Sequence, residues 1–226
     1  MTNTLTSPQL DAVLTRLLAA ADDQDEDQAP PPPGLSSWAA ATARDRANAL
    51  QDFYIPISPQ AGQLLYALVR ASRPDTIVEF GTSFGISTMY LAAAVTDNGT
   101  GHVFTTELSE HKVRVAGANL AQAGVAEAVT ILAGDALETL ADLPGPVGLV
   151  LLDGWKELCL PVLRLLEPRL VPGALVVADD NTHASLGEYL AFVRDPANGY
   201  VTVDFPVADG LEISCWTGPS AAAEKS

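Results

Sequence analysis

The 226-residue sequence is poor in basic residues and in cysteine. It has 12 lysines and arginines against 28 aspartates and glutamates, giving a formal charge of −16 and a pI near 4.3. A field of this sign repels nucleic-acid phosphates and anionic lipid headgroups, so the composition argues against nucleic-acid and membrane-surface binding. The two cysteines, Cys159 and Cys215, are too few for a disulfide framework in a domain this large.

Long apolar runs are missing as well. No stretch of the sequence approaches the ~18 consecutive apolar residues that a membrane-spanning helix needs. Met1 to Leu18 has no basic segment followed by an apolar block, so a secretory signal is not expected. Apolar residues nevertheless make up 48% of the chain, which is enough for a packed core. We therefore expect a cytoplasmic protein with one sizeable domain.

The N-terminal part is predicted to be an arm. Ser7-Pro8 begins a helical pattern, with serine as the N-cap and proline in the first turn. The pattern ends in an acidic run that is followed by Pro30 to Pro33, which predicts a solvated linker over about residues 22–34. Trp38–Leu50 is again helix-like. A stronger helix follows, with Ser58-Pro59 at its start and Ser72 at its end.

From Pro74 onward, short β-rich runs alternate with helical patterns. The predicted strands are Thr76–Phe80, His102–Glu107, Val129–Ala133, Gly148–Leu152, Leu175–Asp179, Tyr200–Phe205 and Leu211–Trp216. The predicted helices between them are Ile86–Val95, Glu110–Ala123, Ala136–Ala141, Leu158–Leu170 and Ser185–Asp195. This alternation predicts an α/β fold with a doubly wound, mostly parallel seven-stranded sheet, helices on both faces and an antiparallel C-terminal edge hairpin. The predicted division is an arm over 1–57, a main domain over 58–218 and a flexible tail over 219–226.

The turn after the first predicted strand is rich in glycine. Gly81 would let a ligand approach the backbone, and Gly85 would let the next helix begin close to the strand. Ser87 offers a hydroxyl near the positive end of that helix. The carboxyl ends of parallel strands are where ligands bind in such sheets, so the turn is a candidate binding site. An ordinary turn between strand and helix is the alternative interpretation.

The next two strands each end at an acidic residue. Glu107 is placed to accept hydrogen bonds from both hydroxyls of a ribose, as in dinucleotide and S-adenosylmethionine sites, or to act only as an acid at a helix N-terminus. The turn from Gly81 to Gly85 lacks the middle glycine of a dinucleotide fingerprint, which disfavours NAD. Asp135 is either a partner of an adenine amino group or the N-cap of the following helix.

Acidic residues also follow the fourth and fifth strands. Asp153, Asp179, Asp180 and Asn181 would converge at the same edge of the sheet, and their oxygens suit Mg²⁺. Taken one by one, these acids are better explained as helix caps of an acidic protein. A lysine next to a divalent cation would have a lowered pKa and could act as a general base, which makes Lys156 a candidate. Trp155 would offer a flat wall to an aromatic substrate, and both residues are otherwise unremarkable surface or core positions.

Taken together, residues 58–218 resemble the metal-dependent class I S-adenosylmethionine O-methyltransferases of the catechol and caffeoyl-coenzyme A type, which have a Rossmann-like methyltransferase fold. Four segments carry the resemblance: EFGTSFGIS at 79–87, LDGWK at 152–156, GALVVADD at 173–180 and DGLE at 209–212. The second and third occur in the family's order and register.

The resemblance implies a set of site residues. S-adenosyl-L-methionine would be held by Glu79, Gly81, Thr82, Ser83, Gly85, Ser87, Glu107, Leu108, Asp135, Ala136 and Asp153. Mg²⁺, or another divalent cation such as Mn²⁺, would be held by Asp153, Asp179 and Asp180. Lys156 and Asp153 would be catalytic, and Trp155, Lys156 and Glu212 would contact the substrate.

One departure affects the metal ligands. The family usually has Asp-Asn where this chain has Asp179-Asp180-Asn181. Counting without a gap from Gly173 gives Asp179 and Asp180, whereas a slip of one residue gives Asp180 and Asn181. We prefer the ungapped register.

The expected reaction is Mg²⁺-dependent methyl transfer to a phenolic hydroxyl of a small molecule, with Lys156 as the general base. Two alternatives are a protein of the same fold that binds without methyl transfer and, less favoured, an NAD-dependent dehydrogenase. Members of the family often dimerise, so the resemblance implies a homodimer.

Overall fold

The computed structural model describes residues 3–24, 31–32, 34–35 and 38–218. Most of the predicted linker and the predicted tail at 219–226 lie outside these residues. The α-helices are α1 (Pro8–Asp22), α2 (Ala43–Ala49), α3 (Pro59–Ser72), α4 (Ile86–Asn98), α5 (Glu110–Ala123), α6 (Ala136–Thr139), α7 (Cys159–Leu166) and α8 (Gly187–Val193). The strands are β1 (Thr76–Phe80), β2 (His102–Glu107), β3 (Val129–Ala133), β4 (Val147–Leu152), β5 (Leu170–Asp179), β6 (Tyr200–Phe205) and β7 (Leu211–Trp216). None of the described helices is long and apolar enough to cross a membrane.

The seven strands form one sheet in the order β3-β2-β1-β4-β5-β7-β6. Strands β1 to β5 are parallel, and β7 runs antiparallel to both β5 and β6. The predicted fold class is therefore confirmed. Because β1 lies between β2 and β4, the chain changes its direction of winding there, and a crevice opens at the carboxyl ends of these two central strands.

Helices cover both faces of the sheet. Successive residues of a strand point to opposite faces, and on β1 Ile77 enters one core while Val78 enters the other. On β4 the same is true of Leu149 and Val150. The first core is closed by α1, α3, α4 and α5, and the second by α7 and α8. Strands buried on both faces are continuous apolar runs in the sequence, which is why their positions could be predicted.

The first helix belongs to this fold and is not an appended arm. Its residues Leu10, Val13, Leu14 and Leu17 are buried in the first core. It packs against α5, where the guanidinium of Arg16 donates a 2.9 Å hydrogen bond to the side chain of Asn119. The predicted helix is confirmed, and the Ser7 hydroxyl caps it by accepting from the Leu10 N–H. The boundary predicted at residue 57 does not fit this packing.

Four predicted helices are shorter in the structure, and two of them have a clear local cause. The pattern over Trp38–Leu50 breaks into a 3₁₀ turn and α2, because Thr42 and Asp45 cap each other's backbone N–H groups and start a new helix. The pattern over Leu158–Leu170 gives way to β5 at Leu170. Pro168 has no N–H to continue the hydrogen bonding of α7, which ends at Leu166.

Candidate active site

The turn after β1 is packed against the end of β4. Gly81 has a φ of +106°, and a Cβ at this position would lie 2.6 Å from the backbone oxygen of Asp153. No other residue fits here unless one of the two strand ends moves. Thr82 is fixed below by a 2.6 Å hydrogen bond between its hydroxyl and that of Thr105. The glycine turn and the first residue after β4 therefore form one unit.

A cavity of about 630 Å³ opens above this unit. Of the predicted cofactor residues around the turn, Gly81, Thr82, Ser83 and Ser87 line it. Gly85 is not among the lining residues, so its predicted cofactor contact is not supported. It has a φ of +89° and is the residue from which α4 begins, which requires glycine for conformational reasons.

Glu107 holds the turn from the opposite side. One carboxylate oxygen accepts a 2.9 Å hydrogen bond from the Ser83 N–H, and the other accepts a 2.8 Å hydrogen bond from the Ser109 N–H. Glu107 and Leu108 both line the cavity. The two interpretations of this acid therefore coexist, since it binds the backbone just before α5 and still faces the space where a ligand would lie.

Glu79 lies beneath the turn and is fully buried, outside the set of residues that line the cavity. One oxygen accepts a 2.5 Å hydrogen bond from the Thr88 hydroxyl, and the other has no hydrogen-bond partner among the described residues. Burial raises the pKa of Glu79 to about 7, although the hydroxyls around it oppose this shift. The group is therefore close to the midpoint of its titration at neutral pH.

Asp135 and Ala136 line the cavity beyond the end of β3. The Asp135 carboxylate accepts a 2.8 Å hydrogen bond from the Leu137 N–H and caps α6. The capping interpretation of Asp135 is thus confirmed, and its predicted contact with adenine stays a prediction.

The acids after β4 and β5 converge at the other end of the cavity. Carboxylate oxygens of Asp153, Asp179 and Asp180 all lie within 4.8 Å of one another. The ammonium of Lys156 is 3.2 Å from Asp153 and 2.9 Å from Asp180. Asp180 has a φ of +57°, a left-handed conformation that aspartate tolerates better than most residues. Three carboxylates and one ammonium leave a net negative charge at this point.

The electrostatics follow from this crowding. Burial, together with the charges of Asp153 and Asp180, raises the pKa of Asp179 to about 8. Burial raises the pKa of Asp153 to about 6, although Lys156 opposes the shift. Burial by itself would lower the pKa of Lys156, but Asp153 and Asp180 outweigh it and the pKa is raised. With protein groups alone the lysine is therefore a counter-ion of the acids, and the lowered pKa expected from the sequence requires a second source of positive charge.

Asn181 is turned away from this cluster. Its side-chain amide donates a 2.8 Å hydrogen bond to Asp204, and its backbone N–H donates to the Gly210 oxygen. The geometry therefore brings together the acids of the ungapped register, with Asp180 and not Asn181 beside Asp153.

Glu212 does not reach the cavity, so the predicted substrate contact of this residue is wrong for the structure. It is fully buried on β7, where both carboxylate oxygens accept hydrogen bonds from Arg194, at 2.9 and 2.6 Å. The Thr202 hydroxyl donates a third, at 2.7 Å. The resemblance placed Glu212 by its DGLE segment, but the side chain points toward α8 and not toward the carboxyl end of β5.

Sequence reasoning missed one wall of the cavity. Residues of the segment 43–57, among them Arg46 and Tyr54, line it opposite the strand ends. The Tyr54 ring stacks on Phe84 of the glycine turn with 4.2 Å between ring centroids. The Arg46 guanidinium lies over the Trp155 ring, 4.6 Å from its centroid, and forms an ion pair with Glu157. Spacing in the sequence gives no sign of these long-range contacts.

Strand order and site together define a class. A glycine turn after β1, an acid after β2 and a cavity at the carboxyl ends of β1 and β4 are the arrangement of class I methyltransferase-like α/β folds. Residues 78–181 match the family described as "Methyltransferase domain".

Known proteins agree with this class. The chain is 34% identical over 143 residues to a catechol O-methyltransferase of Mycobacterium tuberculosis, covering 63% of this chain and 64% of that relative. The crystal structure of cofactor-bound Rv0187 from MTB superposes with a TM-score of 0.66 at 27% identity, covering 80% of this chain and 92% of that one. TomG from Streptomyces achromogenes in complex with SAM, at 22% identity, has the same fold with a TM-score of 0.66 over 94% and 100% of the two chains. The chain is therefore similar in sequence to catechol O-methyltransferases and has the fold of methyltransferase structures, and it spans 64% of the length of the mycobacterial relative.

Proposed function

We propose that this protein transfers the methyl group of S-adenosylmethionine to a phenolic hydroxyl of a small molecule, with a divalent cation bound beside Lys156. The observation that carries the proposal is that one cavity is lined by two different groups of residues, one at each end. The turn at Gly81 and the acid Glu107 lie at one end, and three carboxylates with Lys156 lie at the other. Gly81 touches Asp153, so the two ends are fixed relative to each other.

The residues at the first end fit S-adenosylmethionine. The absence of a Cβ at Gly81 lets the turn pack directly on the backbone of Asp153, at the edge of the cavity. Glu107 faces the cavity and can still accept ribose hydroxyls, because each carboxylate oxygen has a second lone pair. Glu79 lies fully buried beneath the turn and outside the cavity lining, so its predicted contact with the cofactor stays a prediction.

The residues at the second end fit Mg²⁺ or Mn²⁺, because carboxylate oxygens are hard ligands and three of them face one point. A divalent cation bound there would lower the pKa of a phenol that shares it and would draw the carboxylates away from Lys156. Asp153, Asp179 and Asp180 would hold the cation, and Asp153 would also fix the position of Lys156 through their 3.2 Å contact.

Lys156 would act as the general base. Its amine would accept the proton of the acceptor hydroxyl while the new O–CH₃ bond forms and the S–CH₃ bond breaks, which leaves S-adenosylhomocysteine and a methyl ether. Lys156 is largely buried, with 11% of its side chain exposed, so little water competes for the proton. Trp155 forms the adjoining wall.

The test is a methyl-transfer assay with labelled cofactor, catechol and Mg²⁺, with and without EDTA, alongside calorimetric titration with S-adenosylmethionine. We expect activity to be lost in EDTA while cofactor affinity is retained. Lys156→Met should lower kcat by a factor of ~10²–10⁴ without lowering the affinity for S-adenosylmethionine. Arg114→Met, at an exposed position of α5 outside the cavity, is the matched control.

The alternatives give different results in the same experiments. A protein that binds S-adenosylmethionine but methylates no phenol would be a binding protein of this fold. Heat from NAD and none from S-adenosylmethionine would indicate a dehydrogenase. Full activity in chelator-treated enzyme would contradict the role of the acidic cluster.

The proposal includes a homodimer. Strand β6 is at an edge of the sheet and exposes Val201 and Val203, with 66% and 54% of their surface accessible. Exposed apolar edge strands invite pairing with another chain, which supports assembly at this edge. Light scattering should give twice the 23.6 kDa chain mass, and a monomer mass would contradict this part of the proposal.

A further inference from the structure

Arg46 occupies an unusual place in the cavity wall. It lies in the last turn of α2 and lines the cavity, with its guanidinium over the Trp155 ring. Its only ion-pair partner among the described residues is Glu157, whose side chain is 44% exposed. Its Nε is shielded from solvent and has no hydrogen-bond partner among the described residues. One donor of this cation is therefore unused at the wall of the candidate active site.

The other cations of the cavity are committed elsewhere. Lys156 contacts Asp153 and Asp180 within the acidic cluster. Lys112 donates to the Ser83 hydroxyl on the side of the glycine turn. Among the described lysines and arginines that line the cavity, Arg46 alone belongs to the wall formed by segment 43–57.

We propose that Arg46 recognises a carboxylate on the methyl acceptor, so that the preferred acceptors are hydroxylated aromatic acids. This inference rests on the proposed function. Arg46 packs on Trp155 and pairs with Glu157, the residues on either side of Lys156. An acceptor whose hydroxyl lies at Lys156 thus has its ring between the acidic cluster and the wall that carries Arg46. The planar guanidinium matches a carboxylate through two parallel N–H donors, which favours a carboxylate over other anions.

Glu157 would then compete with the acceptor for Arg46. Its carboxylate is partly solvated, so exchanging it for the carboxylate of an acceptor costs little desolvation. Substitution of Arg46 and substitution of Glu157 are therefore expected to have opposite effects on the binding of an acidic acceptor. Loss of Arg46 removes the recognition of the acid, whereas loss of the Glu157 charge frees Arg46 for it.

The test compares two acceptors of the same ring pattern, dihydroxybenzoate and its neutral amide, at saturating cofactor and Mg²⁺. We expect wild-type kcat/KM to favour the acid, and Arg46→Gln to lower kcat/KM for the acid at least about tenfold while the amide changes little. Glu157→Gln should lower KM for the acid only. Titration of the acid into the enzyme bound to S-adenosylhomocysteine should show the same order of affinities. Arg44→Gln is the control, since Arg44 is exposed on the same helix and does not line the cavity.

The outcomes separate this inference from the proposed function. If neither compound is methylated, the proposed function fails. If wild type uses both equally, or if Arg46→Gln and Glu157→Gln lower kcat/KM equally for acid and amide, Arg46 is a structural contact and the inference is overturned.

Discussion

Asp180 and Asn181 are neighbours in the chain, but their side chains have different surroundings in the structure. Asp180 contacts Lys156 at 2.9 Å, while Asn181 is bonded to Asp204. We expect Asp180→Asn to retain activity within about tenfold, because an amide oxygen is also a hard ligand and asparagine tolerates the left-handed backbone. Steady-state kinetics with varied Mg²⁺ measure this.

The neighbouring variants complete the comparison. Asn181→Ala should have a mild effect on the Mg²⁺ dependence, whereas Asp179→Asn should abolish most activity. A large loss of activity in Asn181→Ala together with a small loss in Asp179→Asn would establish the slipped register instead.

Glu107 combines two tasks in one side chain. Its carboxylate accepts hydrogen bonds from the backbone N–H groups of Ser83 and Ser109, and it faces the cavity. Glu107→Ala should therefore weaken S-adenosylmethionine binding by ~1–3 kcal/mol, since a charged acceptor is lost from the ligand and from the turn. Calorimetric titration measures this, with Glu110→Ala on the exposed side of α5 as the control. Unchanged affinity in Glu107→Ala would remove this acid from the binding site.

At the scale of elements, α1 is expected to contribute to the stability of the whole fold. Leu17 is fully buried in the first core, next to residues of α4 and α5. Leu17→Ala should cost ~2–5 kcal/mol in the free energy of unfolding, measured by urea denaturation. Thr15→Ala, at an exposed position of the same helix, is the control. If α1 were an independent arm, Leu17→Ala would leave the main transition unchanged.

The elements that sequence predicted well are those whose signals are local. Strands β1, β2, β3, β6 and β7 have the predicted bounds, because runs rich in β-branched and aromatic residues end at turn residues. The start of β5 was missed because its first residues, from Leu170, pair with Val147 through a register shift that no local pattern encodes. The glycine turn and the acidic cluster could be predicted because the carboxyl ends of parallel strands meet at the same edge of the sheet. Arg46 was not, since α2 reaches Trp155 only through tertiary packing.

At the scale of the whole molecule, buried Glu79 makes stability depend on pH. Its pKa in the folded protein is about 7, above the ordinary 4.5, because burial disfavours the charge. The folded state thus binds the proton more tightly than the unfolded state. The stability from the neutral carboxyl is fully present below pH 4.5 and is lost as pH rises through about 7.

This linkage gives a measurable slope. Between about pH 5 and about pH 8, the ligand-free protein should lose up to about 3 kcal/mol through this group, as followed by urea unfolding. Glu79→Gln should lack this component, while Asp179, whose pKa is raised to about 8, still contributes in the same direction. An identical slope in wild type and Glu79→Gln would show that Glu79 is charged in the folded protein.

The cavity has walls of two kinds. One is made of strand ends that touch each other directly, as Gly81 and Asp153 do, so neither can change without disturbing the other. The opposite wall comes from segment 43–57, which belongs to no strand. Its residues Arg46 and Tyr54 contact the rings of Trp155 and Phe84 and are not members of the acidic cluster. Under the proposed function, substitutions in this segment are expected to change the range of acceptors more than the reaction itself.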